Sequence, residues 1–221
     1  MPTLPNWKQP SMIKIALISG GSFDCLPEPA DLYVGVDAGS LRLLEHSLPL
    51  DWAIGDFDSV TPEELGRIKD LAERFLQAPA EKDDTDLELA LKEVFKVYPQ
   101  AQVHIYGALG GRMDHMMANL FLAAEPDLAP YMEQIELVDS QNIVRFRPAG
   151  RHVIQPIQGM TYISFMPSDG SRLTICHAKY PLDASNYFFK KCYSSNEFID
   201  RDIDIQLDKG YVVLIYSKDK N

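Results

Sequence analysis

The chain has 221 residues, of which 46% are hydrophobic, and its 32 acidic and 21 basic residues give a net charge of −11. The acidic balance argues against a nucleic acid or an anionic membrane as partner, because either would require a basic surface. The apolar content is sufficient for a core, and the length fits one large domain or two small ones.

The cysteines and the N-terminus indicate the compartment. Cys25, Cys176 and Cys192 are odd in number and widely spaced, which predicts reduced thiols rather than a disulfide framework or a zinc site. Residues 1–9 lack the apolar stretch of a signal peptide. No apolar run approaches the ~20 residues of a membrane span. We therefore expect a cytoplasmic protein.

The first part of the chain alternates strand-like and helix-like segments. Short apolar runs bounded by Gly or Asp are typical of buried parallel strands. They lie at residues 13–19, 32–36, 53–54 and 103–106. Helices are predicted between them at about 61–75, 85–97 and 112–124. This alternation predicts a parallel sheet with helices on its faces, and ligands then bind beyond the carboxyl ends of its strands.

After about Asp139 the pattern changes to short strands separated by turn residues. These strands are predicted at 143–146, 162–165, 173–176, 187–189, 203–207 and 211–216. Such close spacing predicts an antiparallel sandwich or barrel. We therefore divide the chain into an α/β domain at 12–139 and a smaller β-sandwich domain at 140–221. A unit this small is expected to pack on the first domain or on a second subunit.

Acidic residues cluster at two points, Asp56-Phe57-Asp58 and the run from Glu81 to Glu88. Clustered carboxylates repel one another, and a divalent cation is the usual means of neutralising them. Oxygen ligands favour Mg²⁺, which commonly carries substrate phosphates in its other positions. The sequence therefore indicates phosphoryl-type transfer, although a Gly-Asp turn and a solvated helix start are the structural alternatives.

Periodicity separates the members of these clusters. Asp56 and Asp58 would point the same way from an extended segment. Asp83 and Asp86 each lie four residues before an apolar helix position, which predicts that they extend the inward stripe.

Asp84 and Glu88 fall on the opposite face of the predicted helix, where Glu88 would pair with Lys92. We therefore expect both to be ordinary surface carboxylates.

A glycine-rich loop precedes the third predicted helix. Gly110 and Gly111 allow backbone amides to approach an anion at the helix N-terminus, and Arg112 could bind a phosphate through two hydrogen bonds. The loop lacks both the P-loop ending and the dinucleotide-binding pattern, so a simple strand–helix turn is equally compatible.

Taken together, these residues resemble the thiamine pyrophosphokinase family. The matching motifs occur in the family's order: Asp37-Ala38-Gly39, Gly55–Ser59, Lys82–Asp86, Gly110–His115 with Asn119, Lys179–Leu182 and Ser195–Phe198. The resemblance implies an α/β nucleotide-binding domain followed by a β-sandwich, in a homodimer whose active site lies between subunits. It also implies Mg²⁺-dependent transfer of a pyrophosphoryl group from ATP to the hydroxyl of thiamine, with AMP as the leaving group.

The resemblance also implies roles by position. It makes Asp56, Asp58 and Asp86 the metal-binding group, and it puts Asp37, Asp83 and Asp114 at catalytic positions. The residues at the phosphates would be Lys82, Gly110, Gly111 and Arg112. Ser195 and Asn196 would bind the aminopyrimidine of thiamine, and Tyr187, Phe189 or Tyr193 could stack on its cationic thiazolium.

Two stretches depart from the family pattern, His177-Ala178, where a Gly-containing strand is expected, and Cys192-Tyr193. Both concern the shape of the thiamine pocket. Two other functions are considered, a Mg²⁺-dependent nucleotide phosphohydrolase that activates water and a non-catalytic nucleotide- or thiamine-binding dimer. A phosphohydrolase would give the β-sandwich domain no role. A non-catalytic dimer would have no need for so many convergent carboxylates.

Overall fold

The computed structural model describes residues 12–79, 81 and 83–220, so that Lys82 lies outside the described residues. The first half contains six short strands: β1 Lys14–Ile18, β2 Leu32–Val36, β3 Trp52–Gly55, β4 Arg74–Gln77, β5 Gln102–Tyr106 and β6 Ile135–Val138. Its α-helices are α1 Gly39–Glu45, α2 Pro62–Leu71, α3 Asp86–Val97 and α4 Met113–Phe121. Short 3-10 helices follow at Leu122–Ala124 and Ala129–Gln134.

The six strands of this half pair in parallel in the order β6-β5-β1-β2-β3-β4. Successive side chains of a strand point to opposite faces. On one face, Ile15 and Leu17 of β1 share a core with Leu91 of α3. On the other face, Ile18 packs with Leu43 of α1. The strand–helix alternation and the parallel pairing are therefore confirmed.

The second half consists of β7 Asn142–Ile154, β8 Tyr162–Pro167, β9 Leu173–Cys176, β10 Tyr193–Asn196 and β11 Ile203–Ser217. These strands continue the sheet of the first half, giving one mixed sheet of eleven strands in the order β10-β8-β11-β7-β6-β5-β1-β2-β3-β4, with β9 paired to β11. The fold is thus mixed α/β with one large mixed sheet.

The long strand β11 joins two arms of the antiparallel region. Its pairing with β7 is irregular between Leu207 and Tyr211. The residues before this point pair with β9, and those after it pair with β8. Apolar residues from both arms, including Ile205 and Leu214, share one core. The expected turn at 208–210 is therefore an irregularity within one continuous strand.

Two further sequence-based expectations about secondary structure were wrong. The helix predicted to residue 75 ends at Leu71, and residues 74–77 form β4, a short edge strand whose Arg and Gln give no apolar signal. Residues 187–189 form no strand. They lie in a loop held by Tyr193, whose hydroxyl donates to the carbonyl of Phe188 at 2.7 Å and accepts from the Lys190 amide at 3.2 Å. Helix α1 and strand β6 were not predicted.

The helices offer no candidate for a membrane crossing within the described residues, since none of them is both long and apolar enough.

Candidate active site

Three carboxylates converge at the carboxyl edge of the parallel strands. Asp37 follows β2, Asp56 follows β3 and Asp86 is the first residue of α3. Each offers an oxygen, and the three oxygens lie within 4.8 Å of one another. All three residues are half-buried. One hard cation could bridge these oxygens after small side-chain movements, so the chemistry of the donor set fits Mg²⁺.

The carboxylate of Asp37 is held by the turn that follows β3. Its Oδ1 accepts a hydrogen bond from the Phe57 amide at 3.1 Å. A Cβ on Gly55 would lie 1.9 Å from the same oxygen, so only glycine permits this approach. The backbone of Asp37 is left-handed, with φ of 48°. The Gly55-Asp56 motif therefore fixes Asp37 as well as presenting Asp56.

Burial and neighbouring charges both disfavour the ionised form of Asp37. Burial, together with the charges of Asp86, Asp56 and Asp58, raises the pKa of its carboxyl to about 7, against the opposing hydrogen bond from the Phe57 amide. A carboxyl with this pKa is partly protonated at neutral pH. A bound cation would favour its ionised form.

This pKa predicts a pH-dependent stability of the metal-free protein. The unfolded carboxyl ionises near pH ~4, whereas the folded one retains its proton until about pH 7. The contribution of the Asp37 carboxyl to stability is complete below its unfolded pKa and is lost as pH rises through its folded pKa. The free energy of unfolding should therefore fall between the unfolded pKa and the folded pKa of about 7. Discounted for partial exposure, the loss is on the order of 1–3 kcal/mol.

Urea unfolding in EDTA between pH 4 and 8 would measure how steeply the free energy of unfolding falls with pH. Asp37→Asn should make this slope shallower. Asp70→Asn, an exposed position on α2, is the matched control and should leave it unchanged. Equal slopes in wild type and Asp37→Asn would contradict the assignment.

The Asp56-Phe57-Asp58 segment is not extended, contrary to expectation. Phe57 has φ of 61° and is buried, with its ring stacked on Phe75 at 4.9 Å between centroids. The Asp58 amide donates to Asp56 Oδ1 at 3.1 Å. Asp58 is exposed and lies outside the group of three oxygens, although its charge contributes to the raised pKa of Asp37. A buried aromatic residue at the centre of a tight turn produced the difference.

The acidic run also differs from the periodicity prediction. Helix α3 begins only at Asp86, so Asp83 precedes it and is exposed rather than part of the inward stripe. The start is set by a capping box in which the Thr85 amide donates to Glu88 at 2.6 Å and the Glu88 amide donates to Thr85 Oγ1 at 3.2 Å. The Thr-x-x-Glu spacing was the available sequence signal for this boundary.

The expected Glu88–Lys92 pair is also wrong. Glu88 is used in the capping box, and the ammonium of Lys92 instead contacts both oxygens of Asp84 at 2.9 Å and Asp127 at 2.9 Å. These hydrogen bonds raise the pKa of Lys92 above its ordinary value, with that from Asp84 the larger cause. Asp84 is therefore a paired carboxylate rather than an ordinary surface one.

The glycine-rich loop begins where β5 ends. Gly107, Gly110 and Gly111 all have left-handed backbones. Added Cβ atoms at Gly110 and Gly111 would meet nothing within 4 Å, so this part of the loop faces open space. Asn119 of α4 donates to the Ala108 carbonyl at 2.8 Å and fixes the loop to the helix.

Arg112 and Asp114 form an exposed pair at the start of α4. The guanidinium donates from Nη2 to Asp114 Oδ2 at 2.6 Å and from Nε to Oδ1 at 3.2 Å. The hydrogen bond from Arg112 lowers the pKa of Asp114 to about 2. Asp114 is therefore ionised at neutral pH and orients the guanidinium.

A cavity of about 320 Å³ brings several of these residues together. Asp37, Asp86 and Asp114 line it, with Asp56 beside it in the carboxylate group. Asp58, Asp83, Gly110, Gly111 and Arg112 are not among its lining residues. Sequence reasoning missed two polar lining residues, Ser19 and Thr85. The sequence signal for Ser19 was its position at a strand end before Gly20-Gly21, and the signal for Thr85 was its position as a helix cap.

A second cavity, of about 440 Å³, lies in the antiparallel half. Its aromatic lining residues are Tyr180, Phe188 and Tyr193. Tyr187 and Phe189, two of the three aromatic candidates, are absent from this lining. The guanidinium of Arg172 lies 4.6 Å from the centroid of the Tyr187 ring.

Asn196 lines the second cavity but makes extensive internal hydrogen bonds. Its Oδ1 accepts from the amides of Tyr180 at 2.9 Å and Glu197 at 3.0 Å, and its Nδ2 donates to the Tyr180 carbonyl at 2.8 Å. This leaves one N–H for a ligand. Ser195 is exposed and has a left-handed backbone with φ of 59°.

The two departures from the family pattern have structural explanations. His177 has a left-handed backbone with φ of 64°, a conformation that glycine adopts most easily, which explains why glycine is expected in this stretch. Its Nδ1 lies 2.8 Å from Asp204 Oδ2. Cys192 precedes β10, and Tyr193 after it is buried and holds the loop of residues 188–190.

The two cavities lie in different parts of the sheet. The second involves β9 and β10, whereas the first opens beyond β1 and β2. Six strand-to-strand steps separate β10 from β1 in the sheet order, which is roughly 30 Å along the sheet at ~4.8 Å per step.

The fold and site define an α/β protein with an acidic site at the carboxyl edge of its sheet. Two family models match it: the thiamin pyrophosphokinase catalytic domain over residues 23–137 and the thiamin pyrophosphokinase vitamin B1 binding domain over residues 151–212. The thiamine pyrophosphokinase of Bacillus subtilis (strain 168) is 33% identical over 217 residues, covering 94% of this chain and 100% of that protein. The chain belongs to the thiamine pyrophosphokinase family.

Solved structures agree with this assignment. The crystal structure of a thiamin pyrophosphokinase family protein from Enterococcus faecalis is 39% identical, with a TM-score of 0.86, and the match covers 94% of this chain and all of that one. Yeast thiamin pyrophosphokinase, at 14% identity, has a TM-score of 0.70 over 94% of this chain and 86% of its own. This second likeness concerns the fold alone.

Proposed function

We propose that this protein transfers the pyrophosphoryl group of ATP to the hydroxyl of thiamine, giving thiamine diphosphate and AMP. Family membership supports the reaction, with ATP as co-substrate. The observation that carries the proposal is the convergence of Asp37, Asp56 and Asp86 beside a cavity that Asp114 also lines. Such a constellation suits the positioning and charge neutralisation on which phosphoryl-type transfer depends.

Asp56 and Asp86 would hold Mg²⁺ together with Asp37, and Asp58 is proposed as a further ligand. The cation would supply charge neutralisation and orientation of the phosphates when bound. The raised pKa of the Asp37 carboxyl is consistent with this assignment: burial is its main cause, and the charges of Asp86, Asp56 and Asp58, which a cation would offset, contribute to it.

The phosphates are proposed to lie along the loop at Gly110 and Gly111. Its open left-handed glycines leave backbone amides accessible at the start of α4, where the helix dipole favours an anion. Arg112, oriented by Asp114, would bind a phosphate oxygen. Lys82 is proposed to contribute a further positive charge on the evidence of its motif alone.

In the transfer step, the thiamine hydroxyl oxygen forms a bond to the β-phosphorus of ATP. The bond from that phosphorus to the oxygen bridging it to the α-phosphorus breaks, and AMP leaves with the bonding electrons. The hydroxyl proton passes to a carboxylate. Asp37, Asp83 and Asp114 are the candidate acceptors, and Asp114 is the least suited of them, because the hydrogen bond from Arg112 lowers the pKa of its carboxyl.

Thiamine is proposed to bind in the second cavity, which lies within the region matched by the vitamin B1 binding model. Tyr180, Phe188 and Tyr193 are the aromatic residues available there to a cationic thiazolium. Ser195 would contact the aminopyrimidine directly. Asn196 would donate its one remaining N–H to the aminopyrimidine while its other hydrogen bonds hold the Tyr180 backbone.

A homodimer with shared sites would explain how the acidic cavity and the proposed thiamine cavity can act on one substrate although they lie far apart in one chain. A distance of roughly 30 Å along the sheet exceeds what a thiamine molecule can bridge within one chain. We therefore propose that the 12–139 part of one chain and the 140–221 part of another form each site. The separate ranges of the two family models support this functional division.

Product analysis tests the reaction. Incubation with ATP, Mg²⁺ and thiamine should yield AMP and thiamine diphosphate in equal amounts, because attack occurs at the β-phosphorus. Anion-exchange chromatography with ³¹P detection would quantify both, with a reaction lacking thiamine as the control. ADP with thiamine monophosphate as main products would reject the mechanism. ATP consumption without thiamine would favour the phosphohydrolase, and binding without turnover would favour the non-catalytic dimer.

A further inference from the structure

Lys92 links two segments that bear residues of the proposed site. It lies on α3, two turns after the helix starts, and its side chain extends back toward the N-terminus, as helical side chains do. The ammonium contacts both oxygens of Asp84 at 2.9 Å and Asp127 Oδ2 at 2.9 Å. The Lys92 side chain is only 28% exposed.

The Asp84 end of this contact lies directly before the start of α3. Asp84 immediately precedes the cap Thr85, which in turn precedes Asp86 of the carboxylate group. The capping box fixes Thr85 from the helix side. The contact with Lys92 fixes the residue before it, so the backbone is held on both sides of the cap.

The Asp127 end of this contact lies in the segment that follows α4, where the Asp127 side chain is 71% exposed. Asp127 adjoins Leu128, which is fully buried and whose amide donates to the Glu125 carbonyl at 2.9 Å. This segment follows α4 and its 3-10 extension, and the start of α4 carries Arg112 and Asp114. One ammonium therefore connects the loop before Asp86 to the far end of the helix that bears Asp114.

We propose that Lys92 is a positioning residue for the proposed pyrophosphoryl transfer, setting Asp86 relative to the residues of α4. The proposal rests on the proposed function. Without the ammonium, the negative charges of Asp84 and Asp127 would lack a common partner, and the segment before Asp86 would lose its link to the segment after α4. The carboxylate group should then bind its cation less well, whereas thiamine binding in the other half of the sheet should be unaffected.

The test compares Lys92→Met, which keeps most of the apolar stem, with Lys92→Arg, which restores the charge. Lys96→Met is the matched control, because Lys96 lies on the same helix and contacts Glu93 at 3.4 Å but neither Asp84 nor Asp127. The readouts are kcat, the Mg²⁺ concentration giving half-maximal rate, and the KM for thiamine. The rise in Tm caused by Mg²⁺ with a non-hydrolysable ATP analogue gives a reading independent of turnover.

Lys92→Met should raise the half-maximal Mg²⁺ concentration by about 2- to 30-fold, the range for residues that act on a site without contacting its ligand, lower kcat and reduce the ligand-induced rise in Tm. Its KM for thiamine should stay within about 2-fold of wild type, because Lys92 lies outside the proposed thiamine cavity and does not contribute to binding there. Lys92→Arg should recover most of the loss, because a guanidinium can also bind Asp84 through two hydrogen bonds. Lys96→Met should behave as wild type.

A folded Lys92→Met with wild-type Mg²⁺ dependence and an unchanged rise in Tm would overturn the proposal. Equal damage to the Mg²⁺ dependence and the thiamine KM would also overturn it, because that pattern indicates a general loss of structure. The proposed function fails separately, if wild type makes no thiamine diphosphate. In that event the ligand-induced change in Tm still decides whether Lys92 positions the acidic site.

Discussion

Asp86→Asn is expected to lower kcat by about 10²–10³-fold while leaving the fold intact. The change removes one negative charge from the three converging carboxylates, and lost electrostatic stabilisation of transferred charge has effects of about this size. Asp56→Asn should be equally damaging. Steady-state rates of thiamine diphosphate formation at saturating ATP and Mg²⁺ would measure the loss, and circular dichroism would report the fold.

Asp70→Asn provides the control, since it makes the same chemical change at an exposed position on α2. It should retain the wild-type rate. A folded Asp86→Asn with more than about a tenth of wild-type kcat would contradict the proposed role of the carboxylates.

Asp58→Asn is the informative member of the series, because Asp58 is exposed and outside the group of three oxygens. The proposed role as a metal ligand requires the same large loss of rate as at Asp86. A rate within a few-fold of wild type would restrict the cation site to Asp37, Asp56 and Asp86.

The second large effect is the recovery of activity on mixing two inactive variants. Asp56→Asn disables the acidic site, and Ser194→Trp fills the second cavity from an exposed position on its wall without replacing Asn196. If each site takes one part from each chain, a heterodimer holds one site with neither change. Random exchange should then restore about a quarter of the wild-type rate, from half the dimers with one intact site each.

The double variant mixed with wild type is the reciprocal control. In a heterodimer of these chains, a shared arrangement puts one change into each site, so the verified heterodimer should be inactive. If sites instead form within one chain, this heterodimer keeps one intact site, and the mixture of single variants recovers nothing. The two arrangements therefore give opposite results, once exchange is verified by mass spectrometry.

The sequence predicted four of the six parallel strands, β1, β2, β3 and β5, because each of these is an apolar run bounded by Gly or Asp. Strand β2 begins at Leu32 and ends at Val36, as expected. That Asp56 and Asp86 lie together was also predictable, since residues after parallel strands and at helix starts meet at one edge of the sheet. The predicted metal group included Asp58, whereas the third converging oxygen belongs to Asp37. Edge strand β4 could not be predicted in the same way, because Arg74 and Gln77 give it no alternation of polar and apolar residues.

The errors within the site came from treating local geometry as regular. Extended geometry was assumed at Phe57, where a stacked aromatic ring stabilises a left-handed turn. Helical periodicity was continued back to Asp83, although the capping box at Thr85 ends it. In both cases a contact made elsewhere, to Phe75 or to Glu88, overrode the pattern. Such contacts depend on tertiary packing or on capping, neither of which a periodicity count includes.

The core of the first half includes residues from beyond the proposed boundary. Val144 and Phe146 of β7 and Val213 of β11 pack with the strands and helix α3 of residues 14–137. A polypeptide cut at Asp139 would therefore expose apolar surface that these three residues cover. The two regions that separate family models match are consequently expected to unfold together, as a single cooperative unit. Exchange of either module between relatives would succeed only if these three core positions were transferred as a matched set.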